Sequence, residues 1–309
     1  MTLLPAPGAG RPTDPSADPS AGPSTGPAGR SAAPEHRSAA LDLLVGRRLV
    51  VLGGAGLSTD SGIPDYRGPV AQGLPPRPTP MTYGDFVSGE AARQRYWARS
   101  HLGWARMRHA EPNPGHRALA RLDPELLITQ NVDGLHEAAG TRRVVALHGR
   151  IADVVCLDCR RTSTRVALQQ RMAAANPGWA ERHADVEVRP DGDVALDETR
   201  DFVVPPCEAC GGVLKPDVVF FGENVPAARV ERCFAALDAL DPADGALLAV
   251  GTSLTVMSGF RFVRRAAKAG LPVVVVNRGA TRGDELATYA VEAGCTPFLL
   301  DLAARRPVA

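Results

Sequence analysis

Residues 49–68, LVVLGGAGLSTDSGIPDYRG, constrain this chain more than any other stretch. Leu49, Val50, Val51 and Leu52 form the short apolar run of a buried strand. It stops at Gly53, Gly54 and Gly56, after which Ser58 and Thr59 are suited to cap a short helix. Glycines at such a turn let backbone N–H groups approach a phosphate, and a helix N-terminus adds about 0.3–1 kcal/mol of attraction for negative charge. A dinucleotide pyrophosphate is the expected occupant. Because Thr59 stands where the dinucleotide fingerprint has its third glycine, a tight turn without a ligand is the competing reading. Pro64 and Gly68 then break any long helix, so a mobile loop is expected over the glycines.

At 309 residues the chain is long enough for one large domain or two modest ones. A formal net charge of +1 argues against broad polyanion binding, and no apolar segment approaches the roughly 20 residues of a membrane span. No nucleic-acid or membrane partner is expected. Residues 1–38, rich in Pro, Gly, Ala and Ser, read as a disordered tail; a dispensable extension is favoured over a transit peptide because Asp14, Asp18 and Glu35 dilute the arginines.

Beyond the tail, a helix is expected over 39–46, and 85–110 is helical with the aromatic stripe Phe86, Tyr96, Trp97 and Trp104, which reads as core. The strand 126–129 ends in Gln130, Asn131, Val132, Asp133, Gly134, Leu135 and His136, a polar cluster where open α/β sheets bind ligands. A second strand, 144–147, ends at His148 and Gly149. Strand–helix alternation resumes at 218–221 and continues through strands 246–250 and 273–276, which end in Gly251, Thr252 and Ser253 and in Asn277, Arg278 and Gly279.

The six cysteines fall as Cys156-x-x-Cys159 and Cys207-x-x-Cys210 plus the single Cys233 and Cys295, a pattern of metal binding in a reducing compartment rather than a disulfide framework. Four thiolates in two tight pairs make a closed tetrahedral zinc site, structural because no position is left for water. The alternative, a zinc ribbon reading nucleic acid, lacks a basic surface, since Asp158, Asp191, Asp193 and Glu208 offset the nearby arginines. His148 is the expected general base, its imidazole titrating near neutrality and sharing a crevice with Asn131 and Asp133. His116 and His136 are assigned to helix-end or core hydrogen bonding.

The motifs GAGLSTDSGIPDYR, TQNVDGLH, LHGR, KPDVVFFGENV, VGTSL and VNRG, with the two CxxC pairs, give the chain its resemblance to the sirtuins over roughly 39–301. Through RPTPMTYGDFV, RQRYWARS, PNPGHRAL, NPGW and PDGDV it resembles the class that holds the mitochondrial lipoamidase and ADP-ribosyltransferase member. The resemblance implies an α/β fold: a Rossmann-like doubly wound parallel sheet (39–150 and 216–305, with a helical insertion about 70–112) and a smaller zinc-binding domain at 151–215. It implies a cytoplasmic NAD-dependent protein-lysine deacylase of deacetylase type, which passes the acyl group of acylated lysine side chains to ADP-ribose and releases nicotinamide. Mono-ADP-ribosyl transfer and lipoamide or acidic-acyl removal are the alternatives. His148, Asn131 and Asp133 would be catalytic. Gly54, Ala55, Gly56, Ser58, Thr59, Ile63, Pro64, Asp65, Tyr66, Arg67, Gln130, Val132, Gly251, Thr252, Ser253, Asn277, Arg278, Gly279 and Cys295 would join them around NAD. Residues 219–223 would pair with a substrate peptide, and Tyr96 with Arg99 would grip an acidic acyl group, with a plain helix-surface role for Arg99 as the equal alternative.

Overall fold

The computed structural model describes residues 28–65, 80–186, 196 and 198–306. In chain order the strands are β1 (Ala28–Ser31), β2 (Arg48–Gly53), β3 (Leu126–Thr129), β4 (Val144–Ala146), β5 (Gly149–Cys156), β6 (Thr162–Thr164), β7 (Leu214–Val218), β8 (Gly245–Val250), β9 (Val273–Asn277) and β10 (Tyr289–Glu292). Seven of them form one sheet in the order β1-β10-β9-β8-β2-β3-β4, and every ladder in it is parallel. Alternate residues of each run serve opposite faces. Val50, Leu52, Ile128, Leu247 and Val275 enter one apolar core; Leu49, Val51, Leu127, Leu248 and Val274 enter the other. Helices cover both faces, which is why these strands read as unbroken apolar runs.

The chain leaves β2 for β3 on one side and later lays β8 on the other side of β2. That reversal opens a crevice at the carboxyl ends of β2 and β8, where such sheets bind ligands.

β5, β6 and β7 form a separate antiparallel sheet. The strand expected at 218–221 in the main sheet is therefore corrected: it runs over Leu214–Val218 and pairs with β5. Lys215, Pro216 and Asp217 cannot run between two apolar faces as β2 and β8 do, and Pro216 offers no ladder donor. This module packs on the helix Glu90–Arg108: Trp97 is fully buried in its core, and Trp97 Nε1 donates to Leu214 O at 3.1 Å. From the module's side, the buried Arg165 lies against the rings of Trp97 and Trp104, 5.2 and 4.9 Å from their centroids. Burial pushes its guanidinium down to about 10.

The expected tail over 1–38 is too long. β1 pairs with β10 at the sheet edge, and the helix expected from residue 39 runs over Pro34–Leu44, with proline in its first turn. A four-residue edge strand has no periodic signature, so composition conceals it. Residues 1–27, most of the proline-rich segment 74–80 and the PDGDV stretch 190–194 lie outside the described residues.

Candidate active site

The glycine turn does not continue into a regular helix. Two single helical turns follow, Ala55–Leu57 and Thr59–Ser61, before Gly62 adopts φ +82°. Neither Ser58 nor Thr59 acts as a cap. Thr59 Oγ1 turns back to donate to Gly56 O at 3.0 Å, while Ser58 Oγ donates to Asp133 Oδ2 at 2.7 Å. The glycines answer first to protein, not phosphate. A Cβ on Gly54 would lie 2.6 Å from Thr252 Cβ and 2.7 Å from Gly251 O, and one on Gly56 would lie 3.0 Å from Gly251 Cα. Gly56 N donates to Gly251 O at 2.9 Å, so the loops after β2 and β8 meet backbone to backbone.

His148 follows β4 after a single residue, Leu147. Its Nδ1 lies 2.9 Å from Gln130 O and its Nε2 lies 2.7 Å from Ser258 Oγ. A carbonyl only accepts, so Nδ1 carries the proton and Nε2 presents its lone pair, to which Ser258 donates. Burial lowers the basicity of the ring, the Gln130 bond opposes this, and Arg229 and Arg261 lower it further. The net fall keeps the imidazole neutral at pH 7, the form a base requires. Gly149 makes this position reachable: it sits at φ +80°, and a Cβ there would lie 1.8 Å from Asp217 O.

Gln130 is fixed from three sides. Its N–H donates to Gly53 O, and its Nε2 donates to Thr252 Oγ1 at 2.9 Å and Gly53 O at 3.3 Å. Asn131 Nδ2 donates to Gly54 O at 3.1 Å and Ser58 Oγ at 3.0 Å, which occupies both its hydrogens and leaves Oδ1 as the acceptor for a bound molecule. Asp133 accepts from Ser58 and from Leu135 N at 3.0 Å. Burial nevertheless raises its carboxyl above the ordinary range.

These groups line one cavity of ≈ 1180 Å³ that runs from the Asn277–Gly279 loop past the glycine turn to His148. Gly54, Ala55, Gly56, Ser58, Ile63, Pro64, Asp65, Gln130, Asn131, Val132, Asp133, Gly251, Thr252, Ser253, Asn277, Arg278 and Gly279 all reach it. Tyr66 and Arg67 lie outside the described residues. Thr59 and Cys295 do not line it. Cys295 is packed beneath the loop, with Sγ 3.0 Å from where a Cβ on Gly251 would stand, and burial pushes its thiol up to about 12. A cavity of this length, with acceptors and backbone at one end and a neutral imidazole at the other, fits an extended dinucleotide.

His116 keeps its helix-end role, its Nδ1 accepting from Asn113 N across the start of helix Pro114–Leu122. His136 does not hydrogen-bond as expected: neither ring nitrogen has a partner among the described residues. It is sealed in the apolar core against His116, with ring centroids 4.8 Å apart.

Two functional features escape the sequence. Ser258 gives no local signal; only the fold brings it to His148. Lys215, buried on β7, pairs with Glu223 Oε2 at 3.0 Å, and the same oxygen accepts Phe220 N at 2.9 Å. This pair moulds the 219–223 strip beside the cavity. A lysine inside an apolar-flanked strand pattern is the available cue.

The four candidate metal ligands converge. Cys156 and Cys210 sulfurs are 3.6 Å apart, Cys159 and Cys207 sulfurs 3.8 Å, and all four lie within 4.8 Å of one another. Tetrahedral zinc with bonds of about 2.3 Å needs sulfurs about 3.8 Å apart, so the donor set fits one structural ion. Among these sulfurs the amide of Ala209 holds the Cys207 thiol below its ordinary value, while the neighbouring sulfurs push Cys210 up.

The Sir2 family model matches residues 54–258. An NAD-dependent protein deacetylase of Xanthomonas axonopodis pv. citri (strain 306) is 53% identical over 277 residues, spanning 87% of this chain and 92% of the relative. NAD-dependent protein deacetylase 1 of Mycobacterium avium (strain 104) is 49% identical over 282 residues, spanning 89% and 96%. A solved Sir2–p53 peptide–NAD+ structure is 28% identical with a TM-score of 0.63, covering 85% of this chain and 94% of its own. Sequence and architecture agree, and the chain belongs to the Sir2 family, the sirtuins.

Proposed function

We propose that this protein is an NAD-dependent protein-lysine deacetylase with His148 as general base. The observation that carries the reading is the His148 tautomer: Nδ1 is committed to Gln130 O, so the lone pair on Nε2 serves the cavity that also holds Asn131 and the glycine turn. The names of the relatives support the same activity. When bound, NAD supplies the carbon that loses nicotinamide and takes up the acyl group. Asn131 Oδ1 would accept from the nicotinamide-side ribose, and Asp133 with the Ile63 backbone would hold the carboxamide. His148 Nε2, now bonded to Ser258 Oγ, would be the group that takes a proton from a ribose hydroxyl. The acyl-lysine peptide lies along the 219–223 strip as an added strand. The four-cysteine centre would hold zinc, and four free thiols in such a cluster support a reducing, cytoplasmic setting.

His148→Ala is expected to lower kcat by about 10²–10⁴ with zinc content unchanged. Undiminished turnover in an acetyl-peptide assay rejects the base. Labelled ADP-ribose accumulating on protein instead of O-acetyl-ADP-ribose would select the transferase alternative.

A second reading concerns the acyl chain. Tyr96 and Arg99 both line the cavity, with Arg99 Nε held on Leu196 O at 2.9 Å; a guanidinium on that wall would meet the carboxylate of an acidic acyl group. Its expectation is that kcat/KM on lipoyl or glutaryl peptides at least equals that on acetyl peptide. A wide margin for acetyl ends it.

A further inference from the structure

Arg30 lies far from His148 in the fold, yet it is bonded to the opposite end of the same cavity. It is carried on the short edge strand β1 and is largely buried, 13% exposed. Its Nε and Nη2 form a fork on Asp284, at 2.8 and 2.6 Å. Nη1 donates to the carbonyls of Asn277 and Val291, both at 2.9 Å, and stands 3.6 Å from Glu292 Oε2.

These partners are the groups that shape the loop after β9. Glu292 accepts from Gly279 N at 2.8 and 3.0 Å. Asp284 accepts from Thr281 N at 3.0 Å and Thr281 Oγ1 at 2.5 Å. Asn277 folds its Nδ2 onto the carbonyls of Arg278 and Gly279, at 2.8 and 3.0 Å. One guanidinium thus pairs with both carboxylates that hold the loop and also grips the loop's first carbonyl. Without it, Asp284 and Glu292 would lose the cation they share, and the loop they hold would lose a fixed geometry.

We propose that Arg30 is a positioning residue for the adenosine side of NAD: through Asp284, Glu292 and the Asn277 carbonyl it pre-forms the Asn277–Gly279 wall of the cavity. This rests on the NAD-dependent reading given above. A loop that must be ordered on binding weakens affinity for the ligand that orders it and leaves distant chemistry alone. The edge strand β1 thereby belongs to the cofactor pocket.

The test is steady-state kinetics on the full-length zinc-loaded protein, with NAD and acetyl peptide varied in turn, for Arg30→Ala, Arg30→Lys and Asn277→Ala. Arg30→Ala is expected to raise KM for NAD about tenfold, with kcat and the peptide KM within about twofold. Arg30→Lys, which keeps the charge but not the fork, should show the same split at a smaller size. In ligand-free protein the Gly279 and Thr281 amides should exchange hydrogen faster in Arg30→Ala. Asn277→Ala should also raise KM for NAD. If Asn277→Ala raises it and neither Arg30 variant does, the role of Arg30 is overturned. A uniform loss, in which Tm falls and both KM values rise together in both Arg30 variants, overturns it equally. If no variant, Asn277→Ala included, changes KM for NAD, the assignment of this loop to the dinucleotide falls with it.

Discussion

The parallel sheet and the zinc module bury themselves by different means. Each face of the sheet carries its own continuous apolar core, built from alternate residues of the same strands. The module has one small core, and part of that is borrowed or doubly employed: Trp97 and Ala98 come from the neighbouring helix, and Cys156 and Cys207 are candidate metal ligands. A sheet with two cores tolerates local loss, whereas a module with a fraction of one depends on an ion and on its neighbour.

The sharpest separation is expected from metal removal. In small peptides a structural zinc contributes on the order of 10–16 kcal/mol, so chelation or Cys156→Ser should melt the module while leaving the sheet folded. Trp179, buried in the module, should become accessible to a fluorescence quencher, and deacetylase activity should vanish because β7 carries the 219–223 strip. Loss of sheet ellipticity at the same chelator concentration would show one cooperative unit instead of two. Trp97→Ala, which empties the shared core, should cost about 3–5 kcal/mol by denaturant melt of the module. Gly149→Ala tests the joint between the regions. With its Cβ driven onto Asp217 O, kcat should fall about 10²-fold while the sheet's Tm changes little.

The sheet has a weakness of its own, in acid. Burial pushes His116 down to about 4 and His136 to about 3. Below the ordinary histidine value of about 6.5 the unfolded chain takes up protons that the folded chain refuses, so stability is full above that pH and is lost as pH falls toward 4. Tm of the metal-loaded protein should therefore drop between about pH 6.5 and 5, and the slope should flatten in His136→Leu. A flat profile in the parent protein would contradict the burial of this pair. The smallest expected effect is that of Ser258→Ala: kcat should fall only about two- to tenfold, since the serine occupies Nε2 at rest and the Gln130 bond still fixes the ring.

Legibility in the sequence follows the range of the interactions. Alternation and glycine turns are local, so the parallel sheet, the polar cluster at Gln130–Asp133, His148 and the four cysteines are visible in residue order alone. What misleads depends on contacts between distant segments. Gly54 is small because Thr252 lies against it, a fact no turn rule contains. Ser58 has a cap's chemistry but spends it on Asp133, 75 residues away. Ser258 meets His148 across 110 residues, and β1 is concealed in a composition typical of disorder. Strand β7 reads as a member of the main sheet because its apolar end looks like any other strand, while its lysine and proline, which exclude two-sided burial, are the quieter signal.

The groups around the cavity are each bolted to the carboxyl end of a different parallel strand: Gly54 after β2, Gln130 after β3, His148 after β4, Gly251 after β8 and Asn277 at the end of β9. Crossover segments remote from this end of the sheet can therefore lengthen or shorten without displacing these five groups. A single-residue insertion within any one of these strands would instead turn its terminal group to the opposite face. For these five groups strand length is the constraint and the length of a remote crossover is not.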